Sequence, residues 1–213
     1  RKANARKFRG FLAPENIILC IEATLSDRSF DDALAYERSL FDELMADSQS
    51  AAQRHVFFAE RQAAKVDGLP EGTPILPVSQ VAVIGAGTMG GGIAMNFANA
   101  GIPVTLVEMA QEALDRGLGI IRKNYEVTAS KGKLKLEDVD KRMALITGTV
   151  NIADVAAADL IIEAVFEQLD VKQEVFRKLD AVARPGAMLA TNTSYLDIDE
   201  IAKVTGRPDH VLG

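Results

Sequence analysis

The stretch Gly85-Ala86-Gly87-Thr88-Met89-Gly90 limits what this chain can fold into more than any other. It follows a short apolar run, Val81 to Ile84, and opens a helical pattern from Gly91 to Ala100 that Gly101 stops. Each glycine has its own reason to be there. Gly85 permits the tight turn out of a strand, Gly87 lets backbone N–H groups approach a pyrophosphate, and Gly90 lets the helix pack closely on the strand. Phosphates would sit on the helix N-terminus, where unpaired N–H groups and the macrodipole favour negative charge. Ala86, Thr88 and Met89 complete the cradle. A second strand, Val104 to Val107, ends on Glu108, at about the 20-residue distance at which an acidic residue holds a ribose 2′-OH. A carboxylate there repels a 2′-phosphate, and no Arg follows until Arg116, so the pattern predicts NAD rather than NADP. An FAD site would use the same fingerprint and stays open on this motif alone.

Beyond Glu108 helical and strand-like stretches alternate. Helices are expected over 111–129, 136–143, 171–183 and 198–204, and strands over 145–150, 160–165 and 187–191. Such alternation predicts parallel pairing in an α/β fold, a Rossmann-type doubly wound sheet. The first 66 residues differ. Pro14 suits a first helical turn, and Ser29 with Asp32 resembles a helix cap before Leu34, Leu40, Phe41 and Leu44. A further amphipathic stretch starts at Ser50 and carries Ala52, Val56, Ala59 and Ala63. The run Ile17 to Ile21 reads as helix in preference to strand, because no turn and second strand follow it. Helices with one apolar face each need something to bury it against, so this zone is expected to be the edge of a larger domain. Residues 67–79, with Pro70, Pro74 and Pro77 among Gly68 and Gly72, read as a semi-extended linker.

Charge and cysteine content exclude several function classes. A net charge of −6 provides no positive field for a nucleic acid or an anionic membrane. The local exception, Arg1, Lys2, Arg6, Lys7 and Arg9, reads as a solvated chain end. Cys20 alone can form no internal disulfide, and no metal-ligand cluster is evident. No apolar run approaches a membrane span and no signal sequence opens the chain, so a reducing aqueous compartment is expected. The chain starts on Arg and ends on an apolar tail, and both ends read as cut.

The run Val83 to Ala94, together with Leu160-Ile161-Ile162-Glu163-Ala164-Val165-Phe166-Glu167 and Ala190-Thr191-Asn192-Thr193-Ser194, closely resembles the NAD-binding domain of L-3-hydroxyacyl-CoA dehydrogenases. Pro14 to Ile21, Tyr36 to Phe41 and His55 to Arg61 resemble the C-terminal helical end of the enoyl-CoA hydratase/isomerase (crotonase-like) part of multifunctional fatty-acid oxidation enzymes. The resemblance implies residues 1–66 as that helical segment and 80–213 as the Rossmann domain, acting in β-oxidation on (S)-3-hydroxyacyl-CoA and 3-ketoacyl-CoA. It implies Met89 beside the pyrophosphate and Glu108 on the adenine ribose. It further implies Val165, Phe166, Glu167 and Lys172 along the nicotinamide half, Ser194 between nicotinamide and substrate, and Lys131 against coenzyme A. The cytoplasm is implied for a bacterial-type protein, a peroxisome or mitochondrion for a eukaryotic one. A thiolase partner and dimerisation belong to the full-length enzymes of this kind.

One element of the chemistry is missing from the pattern. Oxidising a 3-hydroxyl by hydride transfer needs a base for the hydroxyl proton, usually a His oriented by a carboxylate. The chain has two His; His55 lies in the helical zone, and His210 precedes the last strand, where the family does not place its base. The family's His would come two residues beyond the position of Gly213, with its Glu partner later still, so no catalytic residue is expected within this chain and dinucleotide binding without turnover is. A non-catalytic dinucleotide-sensing module and another NAD-dependent dehydrogenase of the same fold stay open as alternatives.

Overall fold

The computed structural model describes residues 4–213, so Arg1 and Lys2 of the basic start lie outside the described residues. The chain divides into two compact units, 1–74 and 75–213. In the first, three helices follow one another: α1 (Ala13–Thr24), α2 (Phe30–Ala46) and α3 (Ser48–Ala63). Pro14 stands in the first turn of α1, which contains the run Ile17 to Ile21. Ser29 caps α2 by accepting a hydrogen bond from the Asp32 amide, and Asp47 caps α3 through the Gln49 amide. Within these helices Ala23 and Leu40 are buried, whereas Ile17, Phe30 and Phe58 are exposed. No helix or strand lies between Ala63 and Val81.

The second unit is a six-stranded parallel sheet built from β1 (Val81–Ile84), β2 (Val104–Val107), β3 (Ile146–Thr149), β4 (Leu160–Glu163), β5 (Met188–Thr191) and β6 (Val211–Leu212). Its spatial order is β3-β2-β1-β4-β5-β6. The order reverses between β1 and β4, and the carboxyl ends of those two strands open the crevice in which sheets of this kind bind ligands. Helices α4 (Thr88–Asn99), α5 (Gln111–Ser130), α6 (Leu136–Met143), α7 (Leu169–Val182) and α8 (Ile198–Ala202) cover the two faces. Because side chains alternate along a strand, β1 feeds two separate cores. Val81 and Val83 pack with Ala94, Leu114, Ile121 and Tyr125, while Ala82 and Ile84 pack with Phe176, Leu179 and Ile201. All four β1 residues are buried, as a strand covered on both sides requires.

The expected elements are present, with shifts at their ends. Helix α4 starts at Thr88, three residues before the expected Gly91, and its first turns pack closely, Gly90 against the turn leaving β1 and Gly91 against Ile121 of α5. Strand β4 stops at Glu163, short of the expected Val165, because the Val165 amide turns back to the Glu163 carboxylate at 2.7 Å. A 3₁₀ turn at Ile152–Val155, capped by Asn151, was not foreseen in the periodicity.

Two pairings tie the last segment to α7. Arg207 donates to the Asp180 carboxylate at 2.7 Å, and the Gly206 amide donates to the same group at 2.7 Å. The Gly206 amide, with the Arg207 guanidinium, holds the Asp180 carboxyl below its usual range. A depressed folded-state value means the contribution is complete above the unfolded value of about 3.9 and is lost as the pH falls below it. Acid titration followed by circular dichroism is therefore expected to show that Asp180→Asn destabilises at pH 7 and removes part of the acid-dependent loss. An unchanged acid limb would contradict this. Independently, Phe176→Ala, which empties a fully buried site, is expected to cost about 3–5 kcal/mol in urea unfolding.

Candidate cofactor site

The site is assembled at the carboxyl ends of β1, β2, β4 and β5. Gly85 has a φ of +101°, a conformation that favours glycine, and a Cβ there would lie 2.8 Å from the Ala164 carbonyl oxygen at the end of β4. A Cβ on Gly90 would lie 1.8 Å from the Gly85 carbonyl oxygen, so helix and turn touch backbone to backbone. Gly87 is the opposite case: a Cβ would meet nothing within 4 Å. The space in front of Gly87 is thus open, beside the start of α4, which has no side-chain cap and no acidic residue in its first turn. An anion at that position would meet free N–H groups and the positive helix end. The exposed side chains of Thr88 and Met89 rim it, and Ala86 is buried beneath.

Glu108 leaves β2 beside this loop. Its carboxylate accepts from the Ala86 amide at 2.7 Å and from the Met109 amide at 3.1 Å. The Glu108 carboxylate and the glycine loop are therefore one hydrogen-bonded unit. From α5, Gly117 backs the loop: a Cβ there would lie 2.5 Å from the Ala86 Cβ and 2.7 Å from the Ala86 carbonyl oxygen. Gly117 stands outside the motif, and a lone glycine in a helical pattern was its only signal in the sequence.

On the other side of the switch point, Val165 is half-buried and lies within contact range of the Gly85 turn, whereas Phe166 is 82% exposed. Glu167 accepts hydrogen bonds from the Thr193 hydroxyl and, at 2.9 Å, from the Ser194 amide, which joins the loops after β4 and β5. These donors, with the Lys172 ammonium at 3.3 Å, hold the Glu167 carboxyl below its usual range. Ser194 is exposed. Lys172 departs from the expectation that it lines the crevice. Its side chain is wholly buried in the first turns of α7, with its ammonium 2.8 Å from Glu163. It reaches the crevice only through Glu167.

Lys131 also stands apart. It follows the 20-residue α5, whose start adjoins the end of β2, so it lies about 30 Å along the helix from the crevice rim. The Tyr125 hydroxyl, six residues earlier, bonds Asn99 at the far end of α4, which places Lys131 at the amino edge of the sheet. His210 immediately precedes β6 and shares that edge, and His55 lies on α3. A cleft of about 550 Å³ at the same edge, lined by Leu76, Ser79, Asp159, Arg184 and Met188, has its two charged groups paired with each other. Asp159 pairs with Arg184 and accepts from the Ser79 and Gln80 amides. Among the described residues no group of His, Cys, Asp and Glu could hold a metal ion, and no helix is long and apolar enough to cross a membrane.

Residues 80–213 match the family described as 3-hydroxyacyl-CoA dehydrogenase, NAD binding domain. The chain is 39% identical over 213 residues to the peroxisomal bifunctional enzyme of Cavia porcellus and 38% identical to that of Homo sapiens. In each case the match covers 98% of this chain but 29% of the relative. Among solved structures, 3-hydroxybutyryl-CoA dehydrogenase from Escherichia coli is 40% identical with a TM-score of 0.62, over 64% of this chain and 29% of that one. The dehydrogenase part of multifunctional enzyme 1 from C. elegans is 30% identical with a TM-score of 0.62, over 70% of this chain and 34% of that one.

The glycine geometry separates folding from binding. Gly87→Ala is expected to leave the melting temperature nearly unchanged while abolishing dinucleotide binding in calorimetry, since its Cβ enters only the open space. Gly117→Ala, which crowds backbone, is expected to cost about 1–3 kcal/mol of stability. The reverse ranking would refute the placement of the pyrophosphate in front of Gly87.

Proposed function

The chain belongs to the family of 3-hydroxyacyl-CoA dehydrogenase NAD-binding domains, and from that premise we propose that it supplies the cofactor half of an enzyme that interconverts (S)-3-hydroxyacyl-CoA and 3-ketoacyl-CoA. The whole proteins it resembles are more than three times as long, so a hydratase/isomerase activity, a thiolase partner and dimerisation are proposals for the full-length enzyme. In the same reading, helices α1 to α3 are the end of a crotonase-like domain, whose body would cover the apolar side chains they expose. The relatives' names place them in peroxisomes, and the same compartment suits this chain if it is eukaryotic, the cytoplasm if bacterial.

NAD, when bound, supplies the hydride acceptor for oxidising a 3-hydroxyl to a 3-keto group. The residues of this chain provide the rest of the binding. Amides from Gly87 onward receive the pyrophosphate, with Met89 alongside. Glu108 accepts from the adenine ribose hydroxyls while keeping its hold on the Ala86 amide. Val165, Phe166, Glu167 and Ser194 frame the nicotinamide side, and the Ser194 hydroxyl can donate to a substrate oxygen. Lys131 contacts coenzyme A only if the substrate extends along α5. Within the nucleotide unit the one histidine, His210, precedes β6 at the amino edge, and proton abstraction is assigned to a group supplied from outside that unit.

The observation that carries this reading is the open space at Gly87 next to a ribose carboxylate already bonded to the loop. NADH is expected to bind more tightly than NADPH, and Glu108→Ala to weaken NADH by about 1–3 kcal/mol, the cost of leaving buried donors unpaired. Nicotinamide fluorescence or calorimetry reads both, the chain having no Trp. Equal affinities, or an inert substitution, would overturn the ribose assignment. With acetoacetyl-CoA and NADH the 213-residue chain is expected to show no turnover, and robust turnover would mean that the base lies within it.

A further inference from the structure

Beneath the nicotinamide side lies a set of buried charges that the cofactor reading does not use. Glu163 and Thr191 end β4 and β5 in register with each other and are 0% and 4% exposed. Their side chains follow Ile161 and Leu189 on the face covered by α7. Lys172, 0% exposed, donates to both Glu163 carboxylate oxygens, at 2.8 and 3.0 Å. The Thr191 hydroxyl and the Val165 amide donate to Glu163 at 2.7 Å each. The same ammonium lies 3.3 Å from Glu167, whose other contacts are Thr193 and Ser194. One cation thus stands between a wholly buried carboxylate and one at the crevice rim. A cation in the first turns of a helix opposes the helix dipole, and a buried one is tolerated only when paired. Both conditions make Lys172 depend on Glu163.

We propose that Glu163 is a positioning residue for the nicotinamide side: by holding Lys172 from below, it leaves Glu167 free to keep the Thr193–Ser194 loop against the loop after β4. This rests on the cofactor reading above and deepens it. In Glu163→Gln, Lys172 has Glu167 as its remaining carboxylate. The ammonium then draws that side chain inward, away from the Thr193 hydroxyl and the Ser194 amide. The glycine loop and Glu108 do not share these bonds, so the adenine half of the site keeps its geometry.

The test compares NADH with ADP-ribose, which carries the adenine, both riboses and the pyrophosphate but no nicotinamide. Calorimetry on the 213-residue chain is expected to show that Glu163→Gln weakens NADH about tenfold or more while ADP-ribose changes less than about twofold. The double variant Glu163→Gln/Lys172→Met removes the ammonium that pulls Glu167, and it is expected to restore most of the NADH affinity. A merely structural pair would lower the melting temperature and leave the ratio of the two affinities unchanged, which would overturn the proposal. If Glu163→Gln does not fold, Thr191→Val, which removes one donor from Glu163, is expected to change the ratio in the same direction by a smaller factor. An unchanged ratio there would also overturn it. If the unsubstituted chain binds neither ligand, the cofactor reading falls first and this proposal with it. If it binds both and the ratio does not move, only the proposal fails.

Discussion

The contact between Gly90 and the Gly85 carbonyl is the constraint on which the rest of the nucleotide unit depends. A methyl group at Gly90 would overlap that oxygen at 1.8 Å, so α4 can lie directly on the turn leaving β1 only because no side chain intervenes. This close approach points the start of α4 across the end of β1 at the place where strand order reverses. It also brings the loop within reach of Glu108 from β2 and of Ala164 from β4. Packing and binding thus share one geometry: the interaction that seats the helix on the sheet exposes the helix end to a ligand.

The two halves of the crevice are built from different physics. On the side of β1 and β2, backbone approaches backbone, glycines make room, and one carboxylate bonds the loop amide. On the side of β4 and β5 the loops are held by charge, through Glu163, Lys172 and Glu167 with hydroxyl and amide donors. Among the described residues no buried side-chain polar atom lacks a hydrogen-bond partner, so the burial of the two charged groups Glu163 and Lys172 is compensated. Such a network costs little when complete and much when one member is removed.

Much of this was legible in the sequence because the signals are local. Val81 to Ile84, the glycine spacing and Glu108 occupy one βαβ unit, where periodicity and turn chemistry act over a few residues. Ser29 marked the start of α2 for the same reason. What escaped depends on contacts distant in sequence. Gly117 backs Ala86 from 31 positions away, and nothing in a helical pattern announces that its missing Cβ belongs to the cofactor loop. Lys172 matches a crevice position in the family pattern, but its burial follows from Glu163, nine residues earlier on a neighbouring element. Likewise Lys131 matches a coenzyme A contact in the family pattern, yet α5 carries it to the other edge of the sheet.

The central claim is that a dinucleotide lies across the carboxyl edge between β1 and β4, and hydrogen–deuterium exchange with and without NADH tests it most directly. Slowed exchange is predicted in peptides covering 85–91, 165–167 and 192–194, with no change around Ser79, Asp159 and Arg184 at the amino edge. Protection confined to that amino-edge cleft, with the glycine loop unaffected, would contradict it.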